Sequence, residues 1–72
     1  MQEITGDMKL ADVIRRWPKT AEVFRSRGCR DAGAGRMARI MTVRNVARME
    51  GIDLASLLED LNRAANARAH EA

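Results

Sequence analysis

Apolar side chains recur along this chain at intervals of three and four residues, the spacing that places them on one face of a helix. The first such set is Leu10, Val13, Ile14 and Trp17. It predicts a helix over 10–17 that stops at Pro18, because the residue before a proline avoids the helical region. A second helix is predicted over 19–27, and Gly28 follows it in the position where a glycine commonly ends a helix.

The middle of the chain combines a glycine-rich loop with two more helical segments. Residues 36–41 are expected to form a short helical turn with Met37, Ile40 and Met41 on its apolar side. A longer helix is predicted from Thr42 or Val43 to Glu50, with Thr42 as its N-cap and Gly51 at its end.

The last helix is predicted to begin after a cap at Asp53 and to fray beyond Asn66, where the sequence loses its apolar stripe. Its stripe consists of Leu54, Leu57, Leu58, Leu61 and Ala65. No segment alternates as a strand would, so the predicted fold is all-α, a compact bundle of four to five short helices. We expect one domain over 3–65 and a frayed C-terminal tail over 66–72. The side chains expected to be buried together are Trp17, Phe24, Val46, Leu57, Leu58 and Leu61.

Charge is unevenly distributed around a net value of +3. Residues 25–49 carry seven arginines and one acid, whereas residues 50–72 carry two basic and five acidic groups. The basic middle favours an anionic partner. The alternative interpretation is a solvated arginine surface that pairs with the acidic last helix, in this chain or in a neighbouring subunit. Nucleic acid is disfavoured, because the last helix is acidic where phosphates would approach a recognition helix.

Cys29 is the only cysteine of the chain, which fits a reducing cytoplasm better than a disulfide-built scaffold. It follows the second helix in a glycine-rich loop with Arg25, Arg27 and Arg30 nearby in sequence. Arginine neighbours favour the reactive thiolate, whereas a helix C-terminus disfavours it. The other interpretation is a small, packed and inert side chain. The candidate functional thiol and loop comprise Gly28, Cys29, Arg30, Arg36 and Arg39.

The residue types that most enzymes and metal sites need are scarce. His70 is the only histidine, and it falls in the predicted tail. Neither a serine–histidine–acid set nor a zinc or iron–sulfur ligand set can be assembled from such a sequence. Met37, Met41 and Met49 are expected to fill the core rather than to bind a cofactor. We therefore expect no enzyme, no metal and no cofactor, and no membrane partner because no apolar run is long enough.

Several short motifs occur together in a familiar order. They are Ile4-Thr5-Gly6-Asp7-Met8, Trp17-Pro18, Thr20-Ala21-Glu22-Val23-Phe24, Gly28-Cys29, Thr42-Val43, Gly51-Ile52-Asp53 and Leu57-Leu58-Glu59-Asp60-Leu61-Asn62. The pattern, over about 3–65, resembles a small helical domain of unknown function associated with hybrid-cluster (prismane-type) proteins. That domain is similar to the N-terminal domain of di-iron iron–sulfur-repair proteins.

The resemblance implies an all-helical fold and a link with anaerobic or nitrogen-oxide metabolism. Many such domains carry two cysteines in the loop after the second helix. This chain departs from that pattern, because Ala32 and Gly33 occupy the stretch where the second cysteine would fall.

The function predicted from the sequence is a non-enzymatic interaction or accessory module. Its working face would surround the loop Gly28–Met41, and its partner would be another protein or a second copy of the chain. The alternative is a thiol-based metal, cluster or redox site at Cys29. In one form of this alternative, the two chains of a dimer share the site.

Overall fold

Five helices follow one another along the part of the chain that the structure describes. The computed structural model describes residues 4–28 and 36–71, without the side chains of residues 37 and 67–71. In chain order the helices are α1 (Leu10–Arg16), α2 (Thr20–Ser26), α3 (Met37–Ile40), α4 (Val43–Glu50) and α5 (Leu54–Glu71). The prediction of a small all-α bundle is confirmed over these residues.

The boundaries of α4 follow from local hydrogen bonding and backbone geometry. The Thr42 side chain accepts a hydrogen bond from the Asn45 amide at 3.2 Å, and the Asn45 side chain accepts one from the Thr42 amide at 3.3 Å. This reciprocal cap satisfies amide groups that have no partner inside the helix. At the other end, Gly51 adopts the left-handed conformation with φ 70° and ψ 30°. Both boundary residues were predicted.

The core lies where α1, α2, α4 and α5 meet, and α3 packs against α1. Its buried apolar members are Ile4, Leu10, Val13, Phe24, Ala38, Val43, Val46, Ala47, Leu57 and Leu61. Of the six predicted core residues, Phe24, Val46, Leu57 and Leu61 are buried.

The other two, Trp17 and Leu58, are only half-buried. Trp17 lies beyond the last residue of α1, with the Arg16 guanidinium over its ring at 4.7 Å. Leu58 flanks the buried stripe, because the residue after Leu57 is rotated by about 100° around a helix.

The predicted apolar side of the short turn was wrong for Ile40, which is 61% exposed, whereas Ala38 is buried at 2% exposure. Met41 is partly buried and packs against the core, in line with the prediction, and the side chain of Met37 lies outside the described residues. Met49 on α4 is 67% exposed, so it does not fill the core as expected. One helical turn is too short for periodicity to fix its buried face. The packing of α3 against α1 fixes it instead.

The N-terminal segment pairs with the start of α4, a feature that the helical pattern did not reveal. Lys9 and Thr42 form an isolated antiparallel bridge. The amide of Leu10 donates to the Met41 carbonyl at 2.9 Å, and the amide of Val43 donates to the Met8 carbonyl at 2.9 Å. These bonds hold the segment before α1 beside the junction between α3 and α4.

Two predictions at the helix ends have different outcomes. Asp7, a candidate cap for α1, instead forms an ion pair with Arg44 at 2.5 Å, and no side-chain cap is found at the start of α1. Asp53 does cap α5, because its Oδ2 accepts from the Ser56 amide at 3.0 Å. The backbone of α5 continues past Asn66 to Glu71, and the division into a domain and a tail stays a prediction.

Over the described residues, no helix has the length and apolarity to cross a bilayer.

Candidate functional site

The predicted site is only partly within the described residues. Cys29 and Arg30 lie outside them, while Gly28, Arg36 and Arg39 lie within them and are all exposed. Gly28 has φ 102°, and an added Cβ would lie 3.6 Å from Oε1 of Glu50. The end of α2 is therefore close to the end of α4, and the chain leaves α2 beside a carboxylate.

The outward side of α3 presents two cations and one apolar side chain. Arg36, Arg39 and Ile40 are spaced as i, i+3 and i+4, so they lie on one side of a helical turn. The amide of Arg39 donates to the carbonyl of Arg36 at 3.1 Å, which extends the turn back to that residue. All three side chains are exposed, whereas Ala38 is buried. We call Arg36, Arg39 and Ile40 the α3 face.

The backbone of a third cationic residue, Lys9, lies next to the end of α3, although this residue is distant from α3 in sequence. Lys9 is exposed, and its backbone is bridged to Thr42, two residues beyond Ile40. The acids nearest to Lys9 in sequence are engaged elsewhere. Asp7 pairs with Arg44 at 2.5 Å, and Asp12 pairs with Arg15 at 3.0 Å. These two acids therefore pair with arginines outside the α3 face and not with Lys9, Arg36 or Arg39.

The arginine-rich middle divides into paired and unpaired side chains. Arg27 forms an ion pair with Asp60 of α5 and donates to Oγ of Ser56 at 3.1 Å. Arg44 pairs with Asp7. The exposed arginines of this segment that have no ion pair with any described residue are Arg25, Arg36, Arg39 and Arg48. Pairing with the acidic last helix thus accounts for Arg27 and leaves the α3 face uncompensated by the described acids.

A second surface feature lies where α1 and α2 meet α5. The shallow groove there has a volume of about 20 Å³, which is room for about one water molecule. Its lining consists of Arg16, Trp17, Pro18, Lys19, Ala64 and Ala65. Trp17 thus lines the groove while it packs, half-buried, against the core. The groove was not predicted, because it depends on how α5 lies across the junction of α1 and α2.

Within the described residues, no group of three or more histidine, cysteine, aspartate or glutamate side chains could hold a metal ion. The expectation that the whole chain binds no metal stays a prediction, since Cys29 and His70 have side chains outside this description. The chemistry that the described surface does offer is cationic and apolar. Guanidinium groups bind carboxylates through two parallel hydrogen bonds.

Comparison with known proteins gives one match. No curated protein and no solved structure matches the chain. A protein family described as "Domain of unknown function (DUF1858)" matches residues 4–58. The match covers α1 to α4 and the first part of α5, including the α3 face and Lys9. The chain therefore belongs to the DUF1858 family of domains of unknown function.

Proposed function

We propose that this domain is a non-enzymatic interaction module and that the α3 face is the centre of its working surface. The observation that carries the proposal is the arrangement of Arg36, Arg39 and Ile40 on the exposed side of a turn that buries only Ala38 among its described side chains. The core is built from the other four helices and Ile4 together with Ala38. The outward side of α3 therefore has little part in folding.

The kind of side chains on the α3 face supports a protein partner. Exposed single hydrophobic residues are common on protein surfaces, but Ile40 shares its side of the turn with Arg36 and Arg39, which form no ion pair with a described residue. Protein interfaces combine an apolar centre with a polar rim, and arginine is enriched in them. The partner in this proposal is another protein or a second copy of the chain.

The proposed setting is redox or nitrogen-oxide metabolism. It is supported by the resemblance to domains associated with hybrid-cluster proteins. That resemblance extends over about 3–65 and so includes the whole family match at 4–58. In this setting the domain brings proteins together and carries out no reaction of its own.

Site-specific photo-crosslinking in the producing cell tests the proposal. A photoreactive residue replaces Ile40 in one variant and Met49 in a matched control. Ile40 and Met49 are the large hydrophobic side chains found exposed among the described residues, at 61% and 67%. We expect a discrete adduct from position 40 and a much weaker one from position 49. No adduct at position 40, or the same adducts at both positions, would contradict the proposal.

The alternative function, a thiol-based metal, cluster or redox site at Cys29, stays a prediction. The exposed Gly28 immediately before it is consistent with this alternative. The visible spectrum of the isolated protein, a metal assay and thiol labelling with and without denaturant would test it. A functional thiol reacts in the folded protein, whereas a packed one reacts only after unfolding.

A further inference from the structure

The charge of the α3 face specifies what it binds. We infer that its partner is an acidic protein segment that presents an apolar side chain between carboxylates. The inference rests on the proposed function and adds the chemistry of the partner. Arg36 and Arg39 would bind the carboxylates, and Ile40 would contact the apolar side chain.

Charge complementarity is the first argument. Arg36 and Arg39 are one helical turn apart and exposed, and neither forms an ion pair with a described residue. Lys9 adds a third exposed cation near the end of α3. Like charges at this spacing repel one another in the free domain. An anionic partner relieves that repulsion and gains from guanidinium–carboxylate hydrogen bonding.

The apolar side chain is the second argument, and it favours protein over nucleic acid. Protein–nucleic acid interfaces are more polar and more positively charged than protein–protein interfaces. Ile40, with 61% of its surface exposed, would face phosphates in such a complex without a matching group. In a complex with an acidic segment that carries an apolar residue, Ile40 contacts that residue and is shielded from water while the charges pair.

A second copy of this chain is a poorer fit than a separate partner. Asp60, on the acidic last helix, is already engaged by Arg27 and Arg63 of its own chain. Asp53 is exposed but accepts from the Ser56 amide as the cap of α5. The other described acids that are exposed and form no ion pair are Glu22 on α2, Glu50 on α4 and Glu59 on α5. Because these three carboxylates belong to three different helices, no described helix presents two of them together to the two arginines of the α3 face.

Titration of the whole domain with defined probes tests this inference. The main probe is a synthetic peptide of glutamate and aspartate with one central leucine. Its binding is measured by NMR chemical shifts or by fluorescence anisotropy. The comparison probes are the same peptide with serine in place of leucine, duplex DNA of random sequence, and vesicles of phosphatidylserine and phosphatidylcholine. The leucine peptide should bind more tightly than the other probes, with shifts centred on the α3 face.

Two double variants isolate the effect of position from that of net charge. R36Q/R39Q and R25Q/R48Q each remove two positive charges. Arg25 on α2 and Arg48 on α4 are exposed, lie outside the α3 face and, like Arg36 and Arg39, form no ion pair with a described residue. Exposed ion pairs have modest energies, so R36Q/R39Q should weaken peptide binding roughly two- to thirty-fold. I40S should weaken it roughly tenfold, and R25Q/R48Q should leave it nearly unchanged.

Each contrary result overturns a stated part of the inference. Equal weakening by both double variants means that net charge alone attracts the peptide. Equal binding of the serine peptide removes the role of Ile40. Stronger binding to DNA or vesicles identifies a different partner class. A position-40 crosslink with twice the mass of the chain would identify a second copy. If the peptide fails to bind while crosslinking at position 40 to another protein succeeds, this inference falls and the proposed function stands. If both fail, both fall.

Discussion

At the scale of single residues, Asn62 holds the N-terminal segment against α5. Its side-chain oxygen accepts from the Ile4 amide at 2.7 Å. Its side-chain nitrogen donates to the carbonyl of Ile4 at 3.2 Å and to that of Leu58 at 2.9 Å. One amide group thus satisfies both backbone groups of Ile4, whose side chain is buried in the core.

Replacing Asn62 with alanine should therefore lower the free energy of unfolding by about 1–3 kcal/mol, because backbone groups of Ile4 lose their partners. Asn66→Ala is the matched control, since Asn66 is exposed on the same helix and its change should be within about 0.5 kcal/mol. Urea unfolding of both variants makes the comparison. Equal stabilities would mean that water replaces the Asn62 bonds at no cost.

The backbone conformation at position 51, and not a lack of space for a side chain, favours glycine there. Its φ is 70°, and nothing lies within 4 Å of the position that a Cβ would occupy. Gly51→Ala should cost about 1–2 kcal/mol through left-handed strain, and Gly51→Asn should cost less because asparagine tolerates that conformation. Thermal melting of the two variants decides this. A larger loss for asparagine would show that side-chain bulk, and not the backbone, sets the cost.

At the scale of helices, α5 contributes two buried and three partly buried apolar side chains to the core, and its leucines are not equivalent. Leu57 and Leu61 are fully buried, whereas Leu58 is half-buried. Leu57→Ala should cost about 2–5 kcal/mol, as for other fully buried leucines, and Leu58→Ala should cost clearly less. Denaturant unfolding of the two variants at matched protein concentration measures this. If Leu58→Ala is the more damaging change, the assignment of the α5 inner face is wrong.

The sequence predicts most helix boundaries because the residues that set them act locally. Pro18, Thr42, Gly51 and Asp53 each impose a backbone geometry or a cap within a few residues. The pairing of the N-terminal segment with Met41 and Val43 could not be predicted, because it joins distant parts of the chain through backbone groups that every sequence has. The hydrogen bonds between the Asn62 side chain and the Ile4 backbone could not be predicted either, because they also join distant parts of the chain.

The candidate site was predictable in part. Arg36 and Arg39 were selected from the excess of arginine, and both prove to be exposed. The sequence places Ile40 on the apolar side of the short turn, whereas its side chain is exposed, because periodicity does not fix the buried side of so short a helix. Lys9 was not selected, because its proximity to α3 depends on the bridge with Thr42. The roles of Cys29 and Arg30, which lie outside the described residues, stay predictions.

At the scale of the whole molecule, the α3 face and the core are on opposite sides of the same short helix. The triple change R36Q/R39Q/I40S should therefore leave stability within about 0.5 kcal/mol of the starting protein, because its sites are exposed. Ala38→Asn is the control on the inner side of α3, where Ala38 is 2% exposed, and it should destabilise by placing an amide in an apolar site. Thermal melting measures the stability of both variants. A triple variant that unfolds would show that this face belongs to the fold.

The charge and the position of the α3 face are tested together by one crosslinking comparison. The photoreactive residue is placed at position 40 in the R36Q/R39Q background and, separately, in the R25Q/R48Q background. Both backgrounds lose two positive charges and neither breaks an ion pair between described residues, so any difference arises from where the charges lie. We predict that the adduct is lost or strongly reduced in R36Q/R39Q and is retained in R25Q/R48Q. Equal adduct yields in the two backgrounds would contradict the assignment of Arg36 and Arg39 to the binding surface.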